Sequence, residues 1–584
     1  MTNPSTGYTI SDEALRIIIS LRLSIFFLVP FCVILQAWTE QLKPRGISLS
    51  DCTLEITKRA LWYIVPIEVI AAIAYVFYRD QFEACVNIAS GYSEAPLLGI
   101  VASLLVCGVL WFASWYYPAQ GVVYKMATTR VSEHISGAVV ENGSKKQQAD
   151  KAFHVKFVRS KEAQAGHYIS TVSVAGLYMP PESEMRHFLF LGSTGAGKTA
   201  AVRGLLRSVQ ERSQYTRERV LMLDPDGAYL SRFYNPKRGD KILNPFDARA
   251  MKWALFKEIS EPWDIENIAN ALVPDPGGES GQWADKARLV VSSALLYLSK
   301  IPDAESRDLY EVCCLSTVPE LREILSKTSA ARFFEEGNEK TLLSILTTVT
   351  KALAPFQYVE RGDNFSMSEW IREGKGWLFL PYNDGQIAAL QAIYRTWMRV
   401  AISATMSLPE ADHRLWLVID EFDALGKIPG LKDALTRIRR FGGRVLLGTQ
   451  TSALIEELYG KGFGKAITEN CLNQFILRCS NSENGGTAKF ASDLIGEHYI
   501  RRTLNSSSTS SGSGSSSSGS SSNQGTSFSQ TEQEATEAAV SPTDISRLQD
   551  LTGYLKFATE PDWQMISYEH DGLPIIAAPF EPKG

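Results

Sequence analysis

Two stretches of the chain carry residue types that together could handle a chain of phosphates. The first is Gly192-Ser193-Thr194-Gly195-Ala196-Gly197-Lys198-Thr199. It follows a short apolar run, His187 to Leu191 (HFLFL), and precedes an apolar-periodic helix through Leu205 and Leu206. A strand, a glycine-rich turn and a helix in that order form a P-loop. Its glycines let backbone N–H groups turn inward around phosphates, and the start of the helix adds partial positive charge. In that setting Lys198 reaches the β- and γ-phosphates and the Thr199 hydroxyl sits on Mg2+. The second stretch is Leu415 to Ile419 (LWLVI), an apolar strand that ends in Asp420-Glu421. Asp420 would hold the Mg2+, directly or through water, and Glu421 would polarise the attacking water as a general base. Arg444 to Gln450 (RVLLGTQ) is a further strand with a polar end. Ligands in such sheets lie beyond the carboxyl ends of the strands, so Thr449 and Gln450 are expected to face the γ-phosphate, with Gln450 sensing it. The cofactors implied are ATP and Mg2+.

Holding these residues together requires a parallel sheet. Val220 to Leu223 (VLML), ending at Asp224-Pro225-Asp226-Gly227, and Trp377 to Leu380 (WLFL) supply two more buried strands. Lys198 and Asp420 lie farther apart than one strand–helix–strand passage needs. The stretch from Lys257 to Gln357 between them is rich in helix-period segments: Trp263 to Leu272, Trp283 to Leu298, Val318 to Leu325 and Thr341 to Ala354. It is expected to be an all-helical subdomain inserted into the sheet domain. Asn505 to Gln530 is almost entirely Ser, Gly, Thr and Asn, too poor in apolar surface to offset its ordering entropy, and is expected to be a disordered loop. Strand-like pieces return at Tyr554 to Ala558 and Trp563 to Tyr568, which places that loop inside the fold.

The whole chain has 584 residues, 45% hydrophobic and 21% charged, with a formal net charge of −5. Those values exclude a disordered or fibrous protein and a free polybasic nucleic-acid binder, so any nucleic-acid site must be local. The eight cysteines show no CxxC spacing and no nearby His cluster, which argues against structural zinc and a disulfide framework. Apolar runs gather near the N-terminus: Ile17 to Trp38, Ala60 to Tyr78 and Pro96 to Tyr117. Each has about the 20 residues that a helix needs to cross the hydrocarbon of a bilayer. Positive charge sets the orientation. Lys43, Arg45, Lys58 and Arg59 lie between the first two runs, Arg79 alone between the next two, and Lys125, Arg130, Lys145, Lys146 and Lys151 after the third. Three spans put the N-terminus outside and two put it inside, and either leaves the bulk of the chain in the cytoplasm.

The order of these features resembles the TraD/TrwB-type coupling proteins of type IV secretion and conjugation. The motifs that carry the resemblance are GSTGAGKT, LDPDG, ILNPFD, LWLVIDEFDALGK, DALTRIRRFGGRVLLGTQ and DLTGYLKF, over roughly residues 180 to 584. It implies an α/β fold: a RecA-like P-loop ATPase domain with an inserted all-α subdomain, behind an N-terminal transmembrane helical anchor. The expected anchor of two or three helices covers 1–120 and a connector 121–180. ATPase parts cover 181–256 and 358–504, the insert 257–357, the Ser/Gly-rich loop 505–535 and the C-terminal strands 536–584.

The resemblance further implies a multi-pass protein of the bacterial inner membrane that assembles as a homo-oligomer, expected to be a hexamer. Such a ring links a relaxase–DNA complex and its relaxosome proteins to the type IV secretion channel and pumps single-stranded DNA. Gly197, Lys198 and Thr199 match the family's Walker A residues, Asp420 and Glu421 its Walker B residues, and Gln450 the glutamine of its third motif. Arg439 matches an arginine that reaches a neighbour's nucleotide, and Arg186 another arginine just before the P-loop strand. Three apolar runs exceed the two spans usual in the family. The long C-terminal extension by which some members recruit relaxosome proteins is absent, so recruitment is expected at other surfaces. Independently of the resemblance, Lys432 to Arg444 (KDALTRIRRFGGR) carries five basic residues against one acid. In a ring that segment could offer arginines to the adjacent ATP or face a DNA-lined pore. Other readings are a membrane-anchored ATPase for protein export or assembly, a chromosome-segregation translocase, and a docking scaffold whose nucleotide only holds the ring together.

Overall fold

Short, fully buried strands alternate with helices through the centre of the chain. The computed structural model describes residues 132–583 and positions 57 and 116, leaving out 159–171, 214–215, 217, 276–278, 410–413, 482–485 and 517–518. The three apolar runs therefore lie, but for Tyr116, outside the described residues. Among the described residues no helix is long and apolar enough to cross a membrane.

Ten strands form one mixed sheet: β1 (Val140–Asn142), β2 (Phe188–Leu191), β3 (Glu218–Pro225), β4 (Lys241–Ile242), β5 (Leu378–Tyr382), β6 (Arg414–Ile419), β7 (Gly443–Thr449), β8 (Asn473–Ile476), β9 (Thr552–Lys556) and β10 (Trp563–Ser567). Their order across the sheet is β4-β5-β3-β6-β7-β2-β8-β9-β10-β1. All strands from β4 across to β8 run parallel, and β9 is antiparallel to both its neighbours. The expected strands are present with shifted ends. β1, β4 and β8 are additions, and none of them carries an apolar run that would announce it.

Side-chain alternation divides the sheet into two different faces. Leu189, Leu221, Leu223, Leu378, Leu380, Leu415, Leu417 and Leu447 point into one core, so the sheet's own contribution to it is largely aliphatic. Their neighbours Phe188, Phe190, Trp377, Phe379, Trp416 and Phe475 point into the other, where the sheet contributes many aromatic rings. The helix Lys198–Arg212 covers the aromatic face, burying Ala201, Val202, Leu205, Leu206 and Val209 at helical spacing. The first core continues into the long helix Asp384–Met406, which adds Tyr394 and Trp397, and into the helical stretch beyond it. That stretch holds Pro262–Leu272, Glu279–Leu298, Val318–Leu325 and Glu339–Leu353. Reciprocal capping boxes start two of these, Glu261 with Asp264 and Thr317 with Glu320, each satisfying amides that the first turn leaves open.

The sheet belongs to a unit made of Ile135–Tyr499 and Thr536–Gly584, while Ile500–Ala535 falls in a separate one. There the Ser/Gly-rich segment differs from the loop its composition suggests. Glu497–Ser516 and Gly519–Ala538 form paired strands. A poverty of apolar side chains argues against burial, but a hairpin can pair its backbone groups with one another regardless.

Candidate active site

Strand register brings the chemically able residues to one edge. Leu191 lies beside Thr449 and Ile419 beside Leu447, so β2, β6 and β7 end together. The ladder runs on past the strands, with Gly192 N–H donating to Thr449 O at 3.2 Å and Glu421 N–H to Gly448 O at 3.1 Å. Leu223 beside Ile419 brings Asp224 next to Asp420.

The P-loop turns across this edge. Gly197 has a φ of 110°, a region that side chains disfavour, and a Cβ there would strike the Tyr568 hydroxyl and the Leu551 side chain. The C-terminal strands brace the loop. Leu551 N–H donates to Ala196 O at 3.0 Å and the Tyr568 hydroxyl to Gly197 O at 2.9 Å. On the β8 side, the Ser193 N–H and hydroxyl both donate to Arg478 O, at 2.8 and 3.0 Å. Leu551 and Tyr568 use the loop's carbonyl oxygens, so they do not compete with a phosphate for its N–H donors.

Behind the loop, Lys198 Nζ lies 3.0 Å from Asp420 Oδ1, with both groups buried. Apart from this ion pair neither atom has a hydrogen-bond partner. The Thr199 hydroxyl donates to Asp420 Oδ2 at 3.4 Å and the Tyr229 hydroxyl to the same oxygen at 2.7 Å. Gln450 ties the second carboxylate to the loop: its Nε2 donates to Glu421 Oε1 at 2.7 Å, and its Oε1 accepts from the Thr194 hydroxyl at 2.8 Å. Glu421 has a φ of 65°, a left-handed conformation that a non-glycine residue keeps only where its surroundings enforce it. Burial raises its carboxyl pKa while Lys198 opposes the rise, the net direction that suits a group meant to take up a proton.

An under-bonded buried ammonium and carboxylate oxygen, beside a threonine hydroxyl at a helix start, form a donor set that fits a phosphate with Mg2+. Lys198 would hold phosphate oxygens, and Thr199 and Asp420 the metal. Among the described residues no group of three His, Cys, Asp or Glu side chains could hold a metal ion. Mg2+ does not need one, since it binds through one or two carboxylates plus substrate phosphates and water.

Arg186 and Arg439 are not in this assembly. Both are exposed and precede β2 and β7, at the amino ends of the strands, across the sheet from the P-loop. Arg444, at the end of the basic segment, is buried instead of facing solvent. Its Nε donates to Glu184 Oε1 at 2.6 Å and its Nη1 to Gly442 O at 2.7 Å. Glu184 also takes a two-pronged contact from Arg212, at 2.6 and 2.7 Å, and Arg212 pairs in turn with Glu218. Nearby, His187 Nδ1 accepts from Val445 N–H at 3.1 Å. Burial, with Arg439 adding to it, pushes the His187 pKa down to about 4.

The sequence motifs leave Tyr229, Tyr568 and Arg478 unmarked, because their contacts with the site come from distant segments. Asp224 had a signal in its place at the end of a buried strand, but no role could be attached to it without the neighbouring strand.

Comparison with known proteins gives the chain relatives. Residues 171–568 match the family model described as type IV secretion-system coupling protein DNA-binding domain. The coupling protein TraD of Escherichia coli (strain K12) is 27% identical over 501 residues, 84% of this chain and 65% of TraD. The coupling protein VirD4 of Bartonella henselae is 25% identical over 358 residues, 55% of this chain and 54% of VirD4. The chain thus spans less than two thirds of the length of either relative. Among solved structures, the plasmid coupling protein TrwB in complex with ADP and Mg2+ has a TM-score of 0.64 at 28% identity, covering 78% of this chain and 98% of TrwB's. TrwB with the non-hydrolysable analogue ADPNP gives 0.64 at 27% identity, with 77% and 98% covered.

Proposed function

Because the chain belongs to the type IV secretion-system coupling proteins, we propose that it is a membrane-anchored ATPase that links a relaxase–DNA complex to the secretion channel and moves single-stranded DNA by hydrolysing ATP. The observation that carries this reading is the convergence of Lys198, Thr199, Asp420, Glu421 and Gln450 on one sheet edge. ATP would lie with its phosphates along Gly192, Ser193, Thr194, Gly195, Ala196, Gly197, Lys198 and Thr199. Lys198 leaves Asp420 for the β- and γ-phosphate oxygens, which frees Asp420 and Thr199 for the metal. Bound Mg2+ supplies charge neutralisation across the transferring phosphoryl group. Glu421 orients and deprotonates the attacking water. Gln450, bonded to both Glu421 and Thr194, couples the catalytic carboxylate to the loop and to β7.

Arg186 and Arg439 stand at the amino ends of the strands, opposite their own chain's loop. In a ring, expected to be hexameric, they would serve the neighbour's site. Residues 1–120 would anchor the ring in the inner membrane, with the bulk of the chain in the cytoplasm, and the exposed Lys432, Arg437 and Arg440 offer a local basic surface to DNA phosphates. The test is ATP hydrolysis by the purified full chain, with and without single-stranded DNA, alongside Lys198→Ala. Stimulation by DNA that vanishes in the variant is expected. Robust hydrolysis indifferent to DNA would favour protein export or assembly, and DNA transfer that survives Glu421→Gln would favour a docking scaffold.

A further inference from the structure

We propose that Tyr229 is a positioning residue for the divalent-cation site, held in place by the C-terminal tail, an inference that rests on Asp420 being a Mg2+ ligand. Tyr229 is fully buried, and its hydroxyl donates to Asp420 Oδ2 at 2.7 Å while Asp420 Oδ1 faces Lys198. A carboxylate with one oxygen tied in this way presents the other in a fixed direction. Partners behind a metal ligand set its orientation, and their loss costs roughly 10- to 100-fold in metal affinity.

The tyrosine is itself fixed from two sides. On the inner side, the Asp224 carboxylate accepts from the Tyr229 and Leu230 N–H groups, at 3.0 and 2.7 Å. Both Asp224 oxygens are thereby committed to the turn that carries Tyr229. On the outer side, the tail crosses the same turn. Ile576 and Ala577 N–H both donate to Ser231 O, at 2.8 and 3.1 Å, and Pro579 sits so close to Gly227 that a Cβ there would collide with it. The tail is clasped farther along by Asp247 and Arg249. Arg249 Nη1 donates to Ala578 O at 2.9 Å, and Glu581 N–H donates to the buried Asp247 at 3.2 Å. Two motifs that phosphate chemistry leaves without a task thereby gain one. LDPDG holds the tyrosine, and LNPFD holds the strap across it.

The experiment is binding of a fluorescent ADP by the purified full chain, titrated with Mg2+, for wild type, Tyr229→Phe and Lys198→Ala. Tyr229→Phe keeps the ring and its packing, so affinity without Mg2+ should stay unchanged. The Mg2+ concentration giving half the metal-dependent gain should rise about tenfold. Arg249→Ala, remote from the loop, should move that midpoint in the same direction. An unchanged midpoint in Tyr229→Phe overturns the assignment and leaves the nucleotide site standing, as would be seen from the loss of binding in Lys198→Ala. An unchanged midpoint in Arg249→Ala overturns the part given to the tail. Mg2+-independent binding by the wild type overturns both the assignment and the metal role of Asp420.

Discussion

Asp420 is crowded on several sides, and its neighbours fail in different ways. A Cβ at Gly448 would press on Asp420 Oδ1 from the next strand, so Gly448→Ala should displace the carboxylate without unfolding the sheet. A displacement of that order costs about 100-fold in rate, to be read from steady-state hydrolysis with the circular dichroism unchanged. Glu421→Gln preserves the side-chain length and an oxygen that can accept from Gln450. Fluorescent nucleotide should therefore still bind, while hydrolysis falls by about 100-fold or more through loss of the base. Lys198, Asp420 and Glu421 are legible in the sequence because their types and strand-end positions announce them. Gly448 and Tyr229 are not, since each acts through a contact that exists only once its strand lies beside the strand that carries Asp420.

At the scale of elements, the amino ends of the strands are joined by buried charge. Burial alone would raise the Glu184 pKa from its ordinary 4.5, but the guanidiniums of Arg212 and Arg444 overcome it and hold the carboxyl at about 2. A depressed acid stabilises above its unfolded pKa and loses that contribution as pH falls through the folded one, here between 4.5 and 2, a term on the order of 3 kcal/mol. His187 adds an earlier loss. Its folded pKa of about 4 lies below the ordinary 6.5, so it favours the fold fully above 6.5 and ceases to do so as pH falls through 4. Urea midpoints should thus decline below pH 6.5 and again below 4.5. Glu184→Gln leaves two buried guanidiniums short of a partner, which should cost about 3–5 kcal/mol at pH 7 and flatten the lower decline. Much of the architecture at this scale could be read in advance: apolar runs marked the long parallel strands, and helical spacing marked the helices between Pro262 and Leu353. Lys241–Ile242 and Asn473–Ile476 could not, being too short or too polar to show a pattern, and pairing alone makes them strands. The Ser/Gly hairpin escaped for the opposite reason, because composition speaks to burial and not to backbone pairing.

At the scale of the whole molecule, one chain displays a site at one edge of its sheet and two exposed arginines at the other. Arg439→Ala is expected to slow hydrolysis by about 1,000-fold if the arginine stabilises a neighbour's transition state. Mixing Arg439→Ala with Lys198→Ala subunits should then restore measurable hydrolysis, because some intact loops will face intact arginines. No recovery would place the arginine's role outside the neighbour's catalysis. A different consequence follows from the strands and tail of residues 552–583, which close the pocket from the chain's far end through Tyr568, the Tyr229 turn and Asp247. A ribosome delivers these residues after every other part of the sheet. The P-loop and the Tyr229 turn therefore gain these braces only after the other strands of the sheet have been made, so the site is stiffened late in the synthesis of the domain.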